Sequence, residues 1–399
     1  MTRTIDNPWL TRYAVLTAFA TLVLICVGGL VTSHEAGLAV PDWPTTYGYN
    51  LFLFPISKWV GGILYEHTHR LVASLLGLLT TILAVWLWLK EERRWLRWLG
   101  VAAFFSVGLQ GLLGGLRVTQ LKDEIGIFHA TLAQVFFVLV CAIALFTSRW
   151  WRQAPKLAIY DRVGLRYFFA FTTAMILLQL ILGATMRHQH AGLAIPDFPA
   201  AYGKAWPDLD ADAIARYNAA RTEVTGLNPI TAFQVALQMA HRIVAGLILG
   251  AVAVTAWTAR RRLGWGSALT RLSLVWLAFI LLQALLGVLT ILKNKPADIA
   301  TAHVAIGALS LLTGSMLTLV ALRRLSNPYV LSARTSLPLP VRNERGEGHP
   351  ISGAPAHLLS RPPSSPHPSP PSAGGEGEES GARDTHANPV KPEVAKLHA

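Results

Sequence analysis

Eight apolar runs, each about as long as a hydrocarbon core is thick, leave this chain few folds to choose from. They lie near 11–32, 60–89, 96–117, 125–148, 164–187, 232–258, 267–292 and 299–323. A spanning helix needs about 20 such residues. In lipid every backbone polar group must be satisfied within its own segment or in a closed barrel, so continuous runs of this length are helices. Charged residues make up 14% of the chain, against about 25% in an ordinary soluble domain. The expected class is an all-α integral membrane protein with eight transmembrane helices.

The net charge is +13, and its distribution decides what it means. Lys90, Arg93, Arg94 and Arg97 lie between runs two and three; Arg149, Arg152, Lys156, Arg162 and Arg166 between four and five. Arg260, Arg261 and Arg262 follow run six, and Arg323 and Arg324 follow run eight. The alternate connections are poorer in cations for their length. This is the positive-inside pattern, with both termini cytoplasmic. No basic stripe accompanies a binding fold, so a nucleic-acid partner is not expected. The expected partner is membrane lipid. Cys26 and Cys141 fall inside runs, which removes a loop disulfide and leaves packing. The first run is too long for a cleavable signal peptide, and no Arg/Ser-rich leader precedes it. A bacterial inner membrane is therefore expected rather than an organelle.

The chain repeats itself. Ala36-Gly37-Leu38-Ala39-Val40-Pro41-Asp42-Trp43-Pro44 returns as Ala191-Gly192-Leu193-Ala194-Ile195-Pro196-Asp197-Phe198-Pro199, and both copies run on to Tyr-Gly, at Tyr47-Gly48 and Tyr202-Gly203. His69-Arg70 is matched by His241-Arg242, Gln110 to Gly114 by Gln283 to Gly287, and His129 by His303. Four runs per half make the repeats parallel, related by an axis along the membrane normal. Two pseudo-two-fold-related four-helix bundles follow: residues 1–155, residues 156–325, and then a disordered cytoplasmic tail, 326–399, whose Pro, Ser, Gly and Glu cannot bury a core. Asp210 and the apolar spacing after it suggest a short surface helix in the longer third outer connection.

Ionisable residues inside spans are functional candidates by default. His69 and His241 lie about nine residues in from the outer end, His129 and His303 about five, or roughly 14 Å and 8 Å. The second and fourth runs of each half are parallel and can face one another across a bundle. Two facing imidazoles in an apolar core suit haem ligation, one axial ligand from each side. A lone histidine in a span is as often a packing residue; four at repeated positions are harder to explain that way. Zinc or copper would need further ligands nearby, and only Glu66 offers one. Arg70 and Arg242 call for an anion, a propionate being a suitable bidentate partner, with a lipid headgroup or a backbone carbonyl as the alternative. Gly114 and Gly287 fit close helix approach. His67 is read as a supporting or lipid-interface residue, and His34, His188 and His190 as outer-loop residues.

On Glu66-x-x-His69-Arg70, His129, His241-Arg242, His303 and the twin Gly-Leu-Ala-[Val/Ile]-Pro-Asp-[Trp/Phe]-Pro loops, residues 10 to 325 resemble the haem A synthase family. The resemblance implies oxidation of the C8 methyl of haem O to the formyl of haem A, for terminal oxidase assembly. It implies substrate haem in the first half, at His69 and His129 with Glu66 catalytic, and haem b in the second, its iron held by His241 and His303. It also brings in haem O synthase and oxidase assembly factors as candidate partners and leaves a homo-oligomer open. Some members carry a cysteine pair in the first outer loop; here the matching positions are Val40 and Thr46, with Ile195 and Ala201 in the second copy. A thiol route for electrons through that loop is therefore not expected. A di-haem electron relay and a haem carrier remain alternatives.

Overall fold

The computed structural model describes residues 7–153, 164–221 and 229–325. Among them, eight helices are long and apolar enough to cross a membrane: α1 (Pro8–Ser33), α2 (Gly61–Lys90), α3 (Arg94–Gln120), α4 (Asp123–Thr147), α6 (Leu165–His188), α8 (Ala232–Leu263), α9 (Ala268–Leu292) and α10 (Ala297–Arg324). Two short helices join them, α5 (Arg149–Gln153) and α7 (Ala211–Ala220). No strand occurs among the described residues. The expected tail, with Lys156 and Arg162 of the fourth connection, lies outside them.

The helix ends follow local chemistry. Asn7 caps α1 by accepting from Leu10 N at 3.1 Å, with Pro8 at the first helical position, where a missing N–H costs nothing. Thr231 and Gln234 form a reciprocal capping box on α8: Gln234 N donates to Thr231 Oγ1 at 3.3 Å, and Thr231 N to Gln234 Oε1 at 2.9 Å. At their C-terminal ends α2, α8 and α10 finish on Lys90, Arg260 to Arg262, and Arg323 with Arg324. Cations there answer the helix dipole.

Each half closes on itself. α1 packs on α2, α2 on α3, α3 on α4, and α4 back on α1; α6, α8, α9 and α10 do the same in that order. The two rings meet along α1, α4, α6 and α10. One glycine shows how tightly: a Cβ on Gly29 of α1 would lie 3.0 Å from the Thr301 methyl of α10, a small-residue contact of the kind that lets membrane helices approach. Large apolar side chains such as Phe19, Phe105, Phe171 and Leu285 stay exposed on outer faces, where hydrocarbon takes the place of a packed partner.

In a ring of four, second and fourth members are diagonal. That places α2 opposite α4 and α8 opposite α10, so the four histidine-bearing helices form two facing pairs.

Candidate functional site

Each of the four histidines lies against a glycine of the preceding spanning helix. A Cβ built on Gly28 would stand 3.1 Å from Cε1 of His69; on Gly114, 3.4 Å from His129; on Gly183, 3.3 Å from His241; on Gly287, 3.2 Å from His303. At three of the four, even a methyl group would press on the ring. The histidines sit about 9–14 Å below the outer helix ends, at the helical rise of about 1.5 Å per residue.

Nδ1 of all four rings is buried with no hydrogen-bond partner. The four residues as a whole are half-buried. His69 and His129 are within electrostatic reach of each other, as are His241 and His303. Among the described residues no group of three or more His, Cys, Asp or Glu comes together. What the bundle interior offers is two imidazoles per half. That donor set, on glycine cradles which any other residue would fill, is one that would hold the iron of a haem.

Gln110 Nε2 donates to His129 O at 3.0 Å and Gln179 Nε2 to His241 O at 2.9 Å. These two glutamines thus hold the main chain at the histidine. Gln179 to Gly183 is a further copy of the Gln-x-x-x-Gly segment seen at 110–114 and 283–287; sequence reasoning passed over it, though spacing alone would have found it. Gly28 has Leu24 in the glutamine's place.

The outer loops are built alike. Arg70 Nη1 donates to Asp42 O at 2.7 Å and Thr45 O at 2.9 Å, and Nη2 to Val40 O at 2.9 Å and Glu66 Oε1 at 2.7 Å. Arg242 reaches the corresponding carbonyls: Ala200 O at 2.9 Å, Asp197 O at 2.8 Å and Ile195 O at 3.4 Å. Both guanidinium groups therefore fasten a loop to a helix, the backbone-carbonyl alternative of the sequence reading. Glu66 Oε2 accepts from Val40 N at 2.9 Å, and Gln238 Oε1 from Ile195 N at 2.6 Å. The carboxylate and the amide are placed alike, three residues before His69 and His241.

Within the loops, Asp42 accepts from Tyr47 N and Gly48 N, and Asp197 from Tyr202 N and Gly203 N. Burial works to raise both carboxyls, but these N–H donors outweigh it and hold them below the ordinary range. The Trp43–Pro44 and Phe198–Pro199 peptides are both cis. Trp43 lies against Gly115, whose Cβ would overlap its ring, one residue from the His129 cradle. Phe198 lies under the Arg242 guanidinium, 5.7 Å from its ring centre.

His67 corrects one expectation. It is not at the lipid interface: it is 1% exposed, with Nδ1 3.1 Å from Thr46 Oγ1 and its ring against Phe54 and Trp59. His188 is buried against Gly126, while His34 stacks on Tyr65 at 4.0 Å. The expected surface helix is α7, capped by Asp210. Its Tyr217 stacks on loop residue Tyr202 at 3.5 Å, so it covers the second loop rather than standing free. Val40, Thr46, Ile195 and Ala201 are all buried.

Comparison with known proteins bears on this geometry. A family model described as Cytochrome oxidase assembly protein matches residues 54–315. The heme A synthase of Alkalihalophilus pseudofirmus is 30% identical over 213 residues, 51% of this chain and 68% of that protein. That of Lysinibacillus sphaericus is 25% identical over 332 residues, 80% of this chain and 97% of the relative. That of Rhodopseudomonas palustris is 27% identical over 373 residues, covering 84% and 93%. With a family match spanning seven of the eight membrane helices in whole or part and relatives alike over nearly their full length, the chain belongs to the cytochrome oxidase assembly family that includes the haem A synthases.

Proposed function

We propose that this protein is a haem A synthase: it oxidises the C8 methyl of haem O to a formyl group, supplying haem A for cytochrome oxidase. Family membership supports haem A biosynthesis; the assignment of roles rests on the two facing pairs of glycine-cradled histidines. In this reading residues 1–155 hold the substrate, with its iron between His69 and His129. Residues 156–325 hold haem b between His241 and His303. A bound haem b would supply one-electron transfer there.

The chain's own residues then have separate tasks. Gly28, Gly114, Gly183 and Gly287 admit the imidazoles. Arg70 and Arg242 fix the outer loops over the two bundles. Trp43, lodged on Gly115, shields the first site from outer water. Converting a methyl to a formyl replaces C–H bonds with a bond to oxygen, so it takes an oxygen atom from a co-substrate and passes electrons to an external acceptor while protons leave the carbon. A carboxylate one helical turn from a ligand stabilises positive charge and receives a proton; Glu66 occupies that place, and Gln238 cannot do either task. The protein belongs in a bacterial inner membrane with both termini cytoplasmic, as the cationic connections indicate.

The test is extraction of the haems bound to the purified protein, identified by mass and absorbance. Haem O, a hydroxylated haem or haem A beside haem B is the expected result. Haem B alone in both halves would overturn the enzyme reading in favour of an electron relay.

A further inference from the structure

If two haems sit in these bundles, their propionates need cations, and the two arginines that follow the histidines are already engaged on loop carbonyls. The remaining candidates can be found by walking outward from the glycine cradles. Arg117 lies three residues beyond Gly114, and Arg187 four residues beyond Gly183. Each is therefore about one helical turn outward of a ligand cradle and on nearly the same helix face.

Neither forms an ion pair among the described residues. Arg117 uses only Nη1, on Gly37 O at 3.1 Å. Arg187 uses only Nη2, on Gly29 O at 2.8 Å and Ser33 Oγ at 2.5 Å, and its Nε is buried without a partner. Both guanidinium forks are thus held by one edge with other N–H groups unused. Arg117 is within electrostatic reach of His69 and His129, and Arg187 of His303 and Lys295. Lys295 sits in the outer turn between α9 and α10 in a left-handed backbone conformation, φ 59°. Burial, and then Arg187, push its ammonium pKa below the ordinary value, while only Glu35 works the other way. Arg117 has Glu66 and Asp123 within electrostatic reach, whereas Lys295 beside Arg187 has only Glu35; like charges gathered in a partly buried site of that second kind are costly unless an anion joins them.

We propose that Arg117 binds a carboxylate of the porphyrin in the first half, and that Arg187 with Lys295 binds a carboxylate of the porphyrin in the second. The ligand class is the propionate side chain, taken bidentately by a guanidinium fork. The assignment rests on the haem reading above.

Full-length protein made in haem-depleted cells is purified in detergent and titrated with haem b and with haem b dimethyl ester, which lacks free carboxylates. His241→Ala isolates the first half and His129→Ala the second. The free acid is expected to bind about tenfold or more tighter than the diester in both backgrounds, the range one charge-assisted hydrogen bond gives. Arg117→Gln removes that preference in the first half only. Arg187→Gln, or Lys295→Gln should Arg187→Gln disturb the α1–α6 contact, removes it in the second only. Unchanged preference in the Arg117, Arg187 and Lys295 variants overturns the assignment while leaving the haem reading intact. So does equal binding of acid and diester combined with phosphatidylglycerol nanodiscs that raise the melting temperature of wild type but not of Arg187→Gln, which would give the cations to a lipid phosphate. Binding of neither porphyrin to wild type removes the haem reading itself.

Discussion

Replacing Glu66 with glutamine makes the first half imitate the second, so the structure itself shows what the variant would look like. Gln238 accepts from Ile195 N and donates to Ile195 O at 3.2 Å, and that carbonyl also receives Arg242 at 3.4 Å. The same arrangement is open to Glu66→Gln on Val40. The loop keeps its anchor, because Arg70 retains Asp42 O, Thr45 O and Val40 O. What is lost is the Glu66–Arg70 ion pair at 2.7 Å, with side chains only 5% and 11% exposed. Deleting one partner of a buried pair outright costs about 3–5 kcal/mol. With glutamine in place and three carbonyls still on the arginine, the loss is nearer that of one charged hydrogen bond, about 1.5–3 kcal/mol. For a chain of this size that is a fall in melting temperature of roughly 2–5 °C.

The effect on chemistry should be of another order. Removing a group that stabilises charge and takes a proton costs about a hundredfold or more in rate. Glu66→Gln is therefore expected to fold, to bind haem, and to lose formyl production by at least about a hundredfold. The assay is haem extraction after expression with haem O, read by mass, beside a thermal unfolding curve of the same preparation. A hydroxylated haem accumulating would place the block late in the sequence. Haem A at the normal rate would refute the catalytic role and leave Glu66 as the loop anchor that Gln238 already is.

Gly287→Ala should displace the His303 ring by a few tenths of an ångström, since the new methyl would stand 3.2 Å from it, and shift the absorbance of the second-half haem. Gly111→Ala, with open space around it, should leave the spectrum unchanged; equal effects from both would dismiss the cradles. Trp43→Ala should weaken retention of the substrate haem more than it lowers expression, and loss of expression alone would make Trp43 an interfacial anchor. Reporter fusions after Lys90 and after Asp208 should land on opposite sides of the membrane. Both reporting one side would overturn the topology.

The spans were legible because lipid imposes one rule on every residue of a run: the eight expected segments match the helices to within a few residues. The histidines were legible because they recur at matched positions, and the ring order of the helices then brings each pair to diagonal corners. The arginine partners were not legible. Whether Arg70 meets a propionate or a carbonyl depends on the path of residues 40–45, and that path is set by hydrogen bonds that Asp42 accepts from Tyr47 N and Gly48 N and by a turn at Tyr47, φ 49°. No periodicity encodes it. For His67 the sequence left two readings, a supporting residue or a lipid-interface one, and the same loop excludes the second: Thr46, Phe54 and Trp59 cover it.

Two copies of one scaffold also show where a function has been added to a shared frame. The loop anchors, the capping aspartates and the glycine cradles are the same in both halves. The differences gather in the first. Gln238 is replaced by Glu66, which brings a charge beside His69. The residue matching Val288 is Gly115, which lets Trp43 lie on α3 next to the His129 cradle. Leu24 stands where Gln179 does, so the glutamine clamp falls on His129 in the first half and on His241 in the second, one ligand in each. The clamps therefore do not separate the halves; the carboxylate and the aromatic cover do. A permanently bound cofactor gains from a neutral surround. A substrate that must enter, react and leave gains from a removable cover and a carboxylate. Those two differences favour the first half as the place of chemistry, and they do so independently of the family's name.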